Sequence, residues 1–340
     1  MSDLYKKSGV DIEEGEKTVS KIKNILHGIQ NKNVLEGIGG FGGLFSLDLN
    51  GIKNPVLVSS IDGVGTKLKI AFMSNKHDTV GEDLLNHCIN DILVQGAKPL
   101  FFLDYIGTGR LSSDVIAEII KGFARSCKKY NVALLGGETA EMPGFYSDNE
   151  YDIAGCITGI VDKDKIITGE KITAGDIIIG IPSTGLHTNG YSLARHIIFD
   201  IKKFKVDNYI DGLNNTIGEE LLKVHRCYYD EVYPLLEKDL INGMAHITGG
   251  GFKGNIIRVL PDNICANINT KSWEPLTIFK LLKKWGNVET EEMYRVFNMG
   301  IGFILFVNPN NVDTILNQIK DAIVIGETTK TDKKAVNLIY

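Results

Sequence analysis

The chain is 340 residues long, 43% apolar and 23% charged, with a formal net charge of −5. At roughly 150 residues per domain, that length points to two domains rather than one core. The lack of a basic surplus argues against nucleic acid as a partner, and no apolar run approaches the ~18 residues of a membrane span.

Residues 13–30 predict the first helix. Val19, Ile22, Ile25, Leu26 and Ile29 recur at helical spacing, and Gly28 with the Asn31–Asn33 region ends it. The glycine-rich GIGGFGG (37–43) follows. After it, LFSLDL, an Asn50-Gly51 pair and NPVLVSSI read as a hairpin with a type I′ turn. A helix over 79–95, a strand over 99–106, a helix over 112–130 and strands over 132–138 and 152–161 complete a mixed α/β sheet. The polar, glycine-punctuated stretch 162–176 separates a domain at 1–165 from one at 170–340.

The second half opens with a strand over 176–183, the loop TGLHTNG (184–190) and a helix over 191–198. Helices over 216–225 and 229–240, the loop HITGGGFKG (246–254) and a helix over 255–261 come next. A Trp-bearing helix (276–285), a strand (300–308) and a helix (309–322) follow, with no internal repeat. Five widely spaced cysteines without a CxxC pair, and a start with no apolar signal segment, place reduced thiols in the cytoplasm. They argue against a disulfide or zinc framework.

GIGGFGG contains GxGxxG at Gly37, Gly39 and Gly42. The dinucleotide fingerprint requires a strand before it and a helix after it, and here the order is reversed. The remaining readings are a glycine flap (Gly37, Gly39, Gly40, Gly42, Gly43) whose backbone N–H groups approach a ligand, or a linker. DGVGTK (62–67) lacks the spacing of a P-loop, yet Thr66 and Lys67 suit a phosphate.

The acids add a second element. Asp62, Asp104 and Glu138 stand at or near the ends of predicted strands. Counting about 100° per residue from Asp83 along the 79–95 helix, His87 and Asn90 fall within about 40° of it. On the same count Asp91 lies near ~80°, at the border of the apolar face. Each acid alone reads equally well as a turn or cap residue. Together, with Gly63, Gly136 and Gly137 beside them, they form the hard-oxygen set that Mg²⁺ takes alongside phosphates. In the second half, STGLHTNG and TGGGFKG combine glycines and hydroxyls ahead of helices, a setting for anions. His187 and His246 lie in or beside them. A lone histidine is more often structural; two in matching loops favour substrate contact.

Taken in order, YKKSGVDIEEGEKTVSKIK, GIGGFGGLF, DGVGTKLK, HDTVGEDLLNHCINDILVQGAKPLFFLDYIGTG, GGETAEMPGFY, HTNGYSLAR, HITGGGFKGNIIRVLPD and GNVETEEMYRVFNMGIG resemble the phosphoribosylformylglycinamidine cyclo-ligase (aminoimidazole ribonucleotide synthetase) family over about Tyr5 to Val336. The resemblance implies a two-domain α/β subunit that forms a homodimer by closing its N-terminal sheets into a barrel. It implies an ATP- and Mg²⁺-dependent ring closure of formylglycinamidine ribonucleotide, releasing ADP and phosphate.

It further implies Lys23 near ATP, Asp62, Asp91 and Glu138 at the metal–ATP site, and His187 and Asn189 in an HSNG-type motif. On that basis Lys67, Thr66 and the flap are assigned to ATP. The substrate phosphate is assigned to Thr184, Gly185, His187, Asn189, His246, Thr248, Gly249, Gly250 and Gly251. Ile61 stands where the family commonly has Thr, and Thr188 where Ser is usual.

Related ATP-using enzymes are the nearest alternatives. A selenophosphate synthetase needs an early Cys, and none precedes Cys88. Thiamine-monophosphate kinase and the amidine synthetase fit the GGETAEMPG and MYRVFNMG stretches less well. A non-catalytic ATP-binding module predicts lost acids or a broken flap.

Overall fold

The computed structural model describes residues 3–27, 29, 31–36 and 38–340; the expectations at Gly28 and Gly37 lie outside them. Residues 1–92 and 97–163 form one compact unit, and residues 93–96 and 164–340 form another.

The first unit begins with α1 (Asp3–Lys7) and α2 (Ile12–Leu26). Asp11 caps α2 by accepting hydrogen bonds from the N–H groups of Glu13 and Glu14. Strands β1 (Val34–Glu36) and β2 (Leu44–Phe45) pair antiparallel around the glycine loop. Next come β3 (Pro55–Gly63), α3 (Leu68–Ser74), α4 (Val80–Leu93), β4 (Lys98–Thr108), α5 (Ser113–Tyr130), β5 (Ala133–Glu141) and β6 (Tyr151–Asp162). The sheet order is β3-β6-β4-β5, with β4 and β5 parallel and the other pairs antiparallel.

The expected hairpin through Asn50-Gly51 is therefore corrected. β3 stands at the sheet edge and pairs only with β6, while of the expected first strand only Leu44–Phe45 is extended, and residues 46–49 stay outside any strand. The segment before the turn pairs instead with β1, where Leu44 and Phe45 meet Glu36 and Val34.

Two neighbouring rows cross this sheet on opposite faces. Asp62, Gly155, Asp104 and Gly137 form one, and Ile61, Cys156, Leu103 and Gly136 form the next. Helix α4 is buried almost all round, including its polar side. Its approach to α5 depends on missing side chains: a Cβ on Gly122 would lie 2.7 Å from the Asp78 carbonyl.

The second unit contains β7 (Ile177–Pro182), α6 (Tyr191–Arg195) running into a π turn, β8 (Tyr209–Ile210), β9 (Asn215–Thr216), α7 (Ile217–Leu221) and α8 (Tyr229–Leu236). It continues with β10 (Gly243–His246), α9 (Gly251–Ile256), β11 (Ile264–Asn269), α10 (Thr277–Gly286), α11 (Thr290–Val296), β12 (Ile301–Val307), α12 (Val312–Gln318), β13 (Ile323–Lys330) and β14 (Ala335–Ile339). Six of these strands form a sheet in the order β10-β12-β7-β13-β11-β14. β12 is buried at every position, matching its unbroken apolar run. Tyr228, Val232, Leu235, Ile179, Phe303 and Leu305 are among the residues of the core beside it.

Candidate active site

In the first unit, the strand end of β3 and the inner side of α4 bring two of the expected acids together through His87, a residue to which the sequence assigns no site role. His87 Nε2 lies 3.0 Å from Asp62 Oδ2 and 3.4 Å from Asp91 Oδ2. His87 and Asp91 are one helical turn apart, so both side chains leave α4 on the side of the sheet that carries Asp62. The Gly63 N–H donates to Asp62 Oδ1 at 2.7 Å, and Ser60 Oγ donates to Asp91 Oδ2 at 3.3 Å.

Burial alone would discharge His87, but hydrogen bonds and charge from Asp62 and Asp91 outweigh it and raise its pKa to about 9. Burial works against the Asp62 carboxylate as well, and the bond from His87 prevails, holding it below its usual value. The imidazole is buried while the two acids remain partly open to solvent.

Lys67 occupies a different place from the expected one. Its ammonium lies 2.8 Å from Asp83 and neither side chain is exposed. Burial depresses the lysine pKa and Asp83 opposes that shift. As placed, the charge of Lys67 is taken up inside the protein, and Gly65 and Thr66 are the exposed residues of the turn.

Beside this cluster, α2, the glycine loop, α5 and β5 enclose a cavity of about 350 Å³. Thr18 and Ile22 line one wall, Ile120 and Leu134 another, Gly39 and Gly40 the mouth and Asp104 the floor; Glu138 also lines it. Gly39 has φ +119°, and a Cβ there would lie 3.1 Å from Lys23 Nζ, so the loop passes over the end of α2. Gly43 anchors it, since a Cβ at that position would sit 2.8 Å from the Leu135 carbonyl oxygen. Gly42 is open, with no neighbour near a Cβ position. Glu138 pairs in register with Tyr105, one step from the Asp104–Gly137 row, and no hydrogen bond or ion pair joins it to Asp62 or Asp91 among the described residues.

In the second unit, β7 and β10 both run antiparallel to β12, so their ends deliver the two expected loops to one edge of the sheet. His187, at φ +63°, stacks on His225 with ring centroids 3.9 Å apart, and His225 Nε2 is 3.0 Å from His246 Nε2. Thr188 Oγ1 is 3.3 Å from His225 Nδ1. A Cβ on Gly249 would meet Asn189 Oδ1 at 3.2 Å, so the two loops touch. The Thr184 N–H donates to His187 Nε2, and Thr184 Oγ1 donates to the Val224 carbonyl.

Two buried asparagines hold these loops. Asn255 Nδ2 donates to the carbonyls of Thr248, Gly249 and Gly251, and Asn298 Nδ2 donates to that of Gly185. Helix α9 begins at Gly251, inside the stretch expected to be loop, with Gly250 as its cap at φ +93°. His225, Asn255 and Asn298 were missed in the sequence; the one signal for them is their place beside the glycine-rich loops.

Among the described residues no helix is long and apolar enough to cross a membrane, and all five cysteines are free thiols.

The class follows from how the two halves of the chain match known domains. Residues 48–161 match the AIR synthase related protein N-terminal domain, and residues 173–339 match its C-terminal domain. The fold is shared with thiamine-monophosphate kinase from Stenotrophomonas maltophilia (TM-score 0.68, 15% identity, 94% of this chain and 95% of that one). Hydrogenase maturation protein HypE in complex with ATP is similar as well (TM-score 0.63, 13% identity, 94% and 91%). The phosphoribosylformylglycinamidine cyclo-ligase of Alkaliphilus oremlandii is 49% identical over 340 residues, covering 99% of this chain and 100% of the relative. The chain belongs to the phosphoribosylformylglycinamidine cyclo-ligase family.

Proposed function

We propose that this ligase closes the imidazole ring of 5-aminoimidazole ribonucleotide from formylglycinamidine ribonucleotide in purine biosynthesis, with ATP as the second substrate. The observation that carries the site assignment is the His87 bridge, which holds Asp62 and Asp91 side by side at a solvent-accessible edge. The fit to Mg²⁺ rests on that donor set of hard, anionic oxygens. Bound there, the ion would neutralise phosphate charge during transfer.

The chemistry asks for an activated oxygen. An amide oxygen leaves poorly, so the γ-phosphoryl group is transferred from ATP to the formyl oxygen, releasing ADP. The ribosyl-bearing amidine nitrogen attacks the formyl carbon, the C–O bond breaks to release phosphate, and loss of protons from that nitrogen and the neighbouring CH₂ completes the imidazole. Positioning supplies most of the catalysis. In this reading Asp62 and Asp91 would hold the metal, and protonated His87 bridges the two and keeps Asp62 in its anionic form. Lys23 and the Gly39–Gly43 flap approach the nucleotide, and Glu138 lines its cavity. Lys67 acts from inside, as the counter-charge that fixes Asp83 and α4. His187, Asn189 and the Thr248–Gly251 loop receive the ribonucleotide, with His225 and His246 setting the His187 ring.

A second copy of the chain fits the open sheet face, where Ile61 is 71% and Leu57 57% exposed on β3 and Leu103 and Tyr105 are exposed on β4, across β6. The N-terminal sheets would then pair in a homodimer. A thiamine-monophosphate kinase reading shares the fold but not the close sequence kinship.

Asp62→Asn and Asp91→Asn test the metal assignment. Each should lower turnover at least tenfold and raise the Mg²⁺ concentration required. Near-normal turnover of both variants at saturating Mg²⁺ contradicts it.

A further inference from the structure

The floor of the flap cavity carries a carboxyl group that the catalytic reading leaves unused. Asp104 sits mid-sheet on β4, directly opposite Gly137 on β5. A Cβ on Gly137 would lie 2.7 Å from Asp104 Cγ, so the carboxyl leans across β5 through the space that glycine leaves. Apart from its own backbone N–H, no hydrogen-bond donor or cation serves Asp104 among the described residues. Burial pushes its pKa up to about 7, so near neutral pH it keeps its proton for much of the time and can donate as well as accept.

The surroundings select what such a floor can take. Ile22, Ile120 and Leu134 supply apolar walls, and Ile38 closes the mouth beside the flap glycines. A cavity of about 350 Å³ is at the low end of the roughly 300–1,000 Å³ range for small-molecule sites. A phosphate would meet a carboxyl on the floor with no cation beside it, so an anionic group is excluded there. A flat heteroaromatic ring with a hydrogen-bonding edge satisfies both the apolar walls and the polar floor.

We propose that this cavity takes the adenine base of the nucleotide and that Asp104 reads its amino edge, accepting from the exocyclic N6–H. When it carries its proton, the other carboxyl oxygen donates to N1. The triphosphate then extends past the flap towards the strand ends. This rests on the ATP reading above and adds to it the residue that selects the base.

Direct binding in the absence of the ribonucleotide substrate tests the assignment, with Mg²⁺ held fixed and ATP compared with purine riboside triphosphate, which lacks the 6-amino group. The wild-type protein should bind ATP at least tenfold more tightly. Asp104→Leu should weaken ATP by a similar factor and reduce the preference between the two ligands to less than about twofold. Asp104→Asn keeps a donor and an acceptor in the same shape and should hold ATP within about threefold of wild type. An equal affinity of the wild-type protein for both nucleotides overturns the proposal without help from any variant, as does an unchanged preference in Asp104→Leu. Binding of neither nucleotide overturns the ATP reading itself, and this assignment falls with it.

Discussion

Lys67 and Asp83 face each other at 2.8 Å with neither side chain exposed to water. Removing one partner strips the other buried charge of this ion pair, at a cost of about 3–5 kcal/mol. Lys67→Met and Asp83→Leu should each lower the urea midpoint strongly, and the double variant should recover most of the loss. Additive losses in the double variant contradict a buried pair acting as a unit.

The bridge at His87 makes a prediction about pH. Its pKa is raised from 6.5 to about 9 in the folded protein, so its stabilising contribution is complete below about pH 6.5 and disappears as pH rises through 9. The total is on the order of 3 kcal/mol. Asp62 acts in the opposite sense and at lower pH, since its depressed pKa adds stability that is lost only on acidification. Asp104, raised to about 7, lets stability fall mainly between about pH 4 and 7. Denaturant midpoints at pH 6.5 and 9 should therefore differ in wild type and much less in His87→Gln. Equal slopes in the two proteins remove His87 from the account.

The open face of the first sheet predicts self-association. Ile61→Asp and Leu103→Asp place charge in the middle of that apolar row and should shift the mass measured by light scattering from dimer to monomer. A wild-type protein that is monomeric at micromolar concentration contradicts the homodimer.

In the second unit, Gly302 of β12 leaves room for His187. A Cβ there would lie 2.6 Å from His187 Cε1 and would also meet the Tyr228 hydroxyl. Gly302→Ala should cost about 1–3 kcal/mol of stability and raise KM for the ribonucleotide more than KM for ATP. An increase confined to ATP contradicts the division of ligands between the units.

The elements most legible in the sequence are those whose burial repeats with a clean period: α2, α5, β3 and β6 among the first unit's elements, and β12 in the second. Strands β11, β13 and β14 escaped because Asn267, Asn269, Thr328 and Asn337 interrupt their apolar pattern, and β10 is only four residues long. The hairpin at Asn50-Gly51 failed because a turn signal says nothing about a partner strand distant in sequence. On α4 a polar stripe normally marks the solvent side. Here Asp83 and His87 turn inward because Lys67 and Asp62 reach them from the strand β3 and the turn after it. For the candidate site, Asp62, His187 and His246 stand out by residue type and loop context, and Asp91 by its place at the border of the apolar face of α4. His225, Asn255 and Asn298 do not, since nothing local distinguishes an asparagine that holds a loop from one in an ordinary turn.

The central claim is tested most directly by following ADP release and imidazole formation together in one reaction with Mg²⁺. ADP should appear only when formylglycinamidine ribonucleotide is present, one for each 5-aminoimidazole ribonucleotide formed. ATP that is bound or hydrolysed regardless of that ribonucleotide, with no imidazole product, would contradict the account.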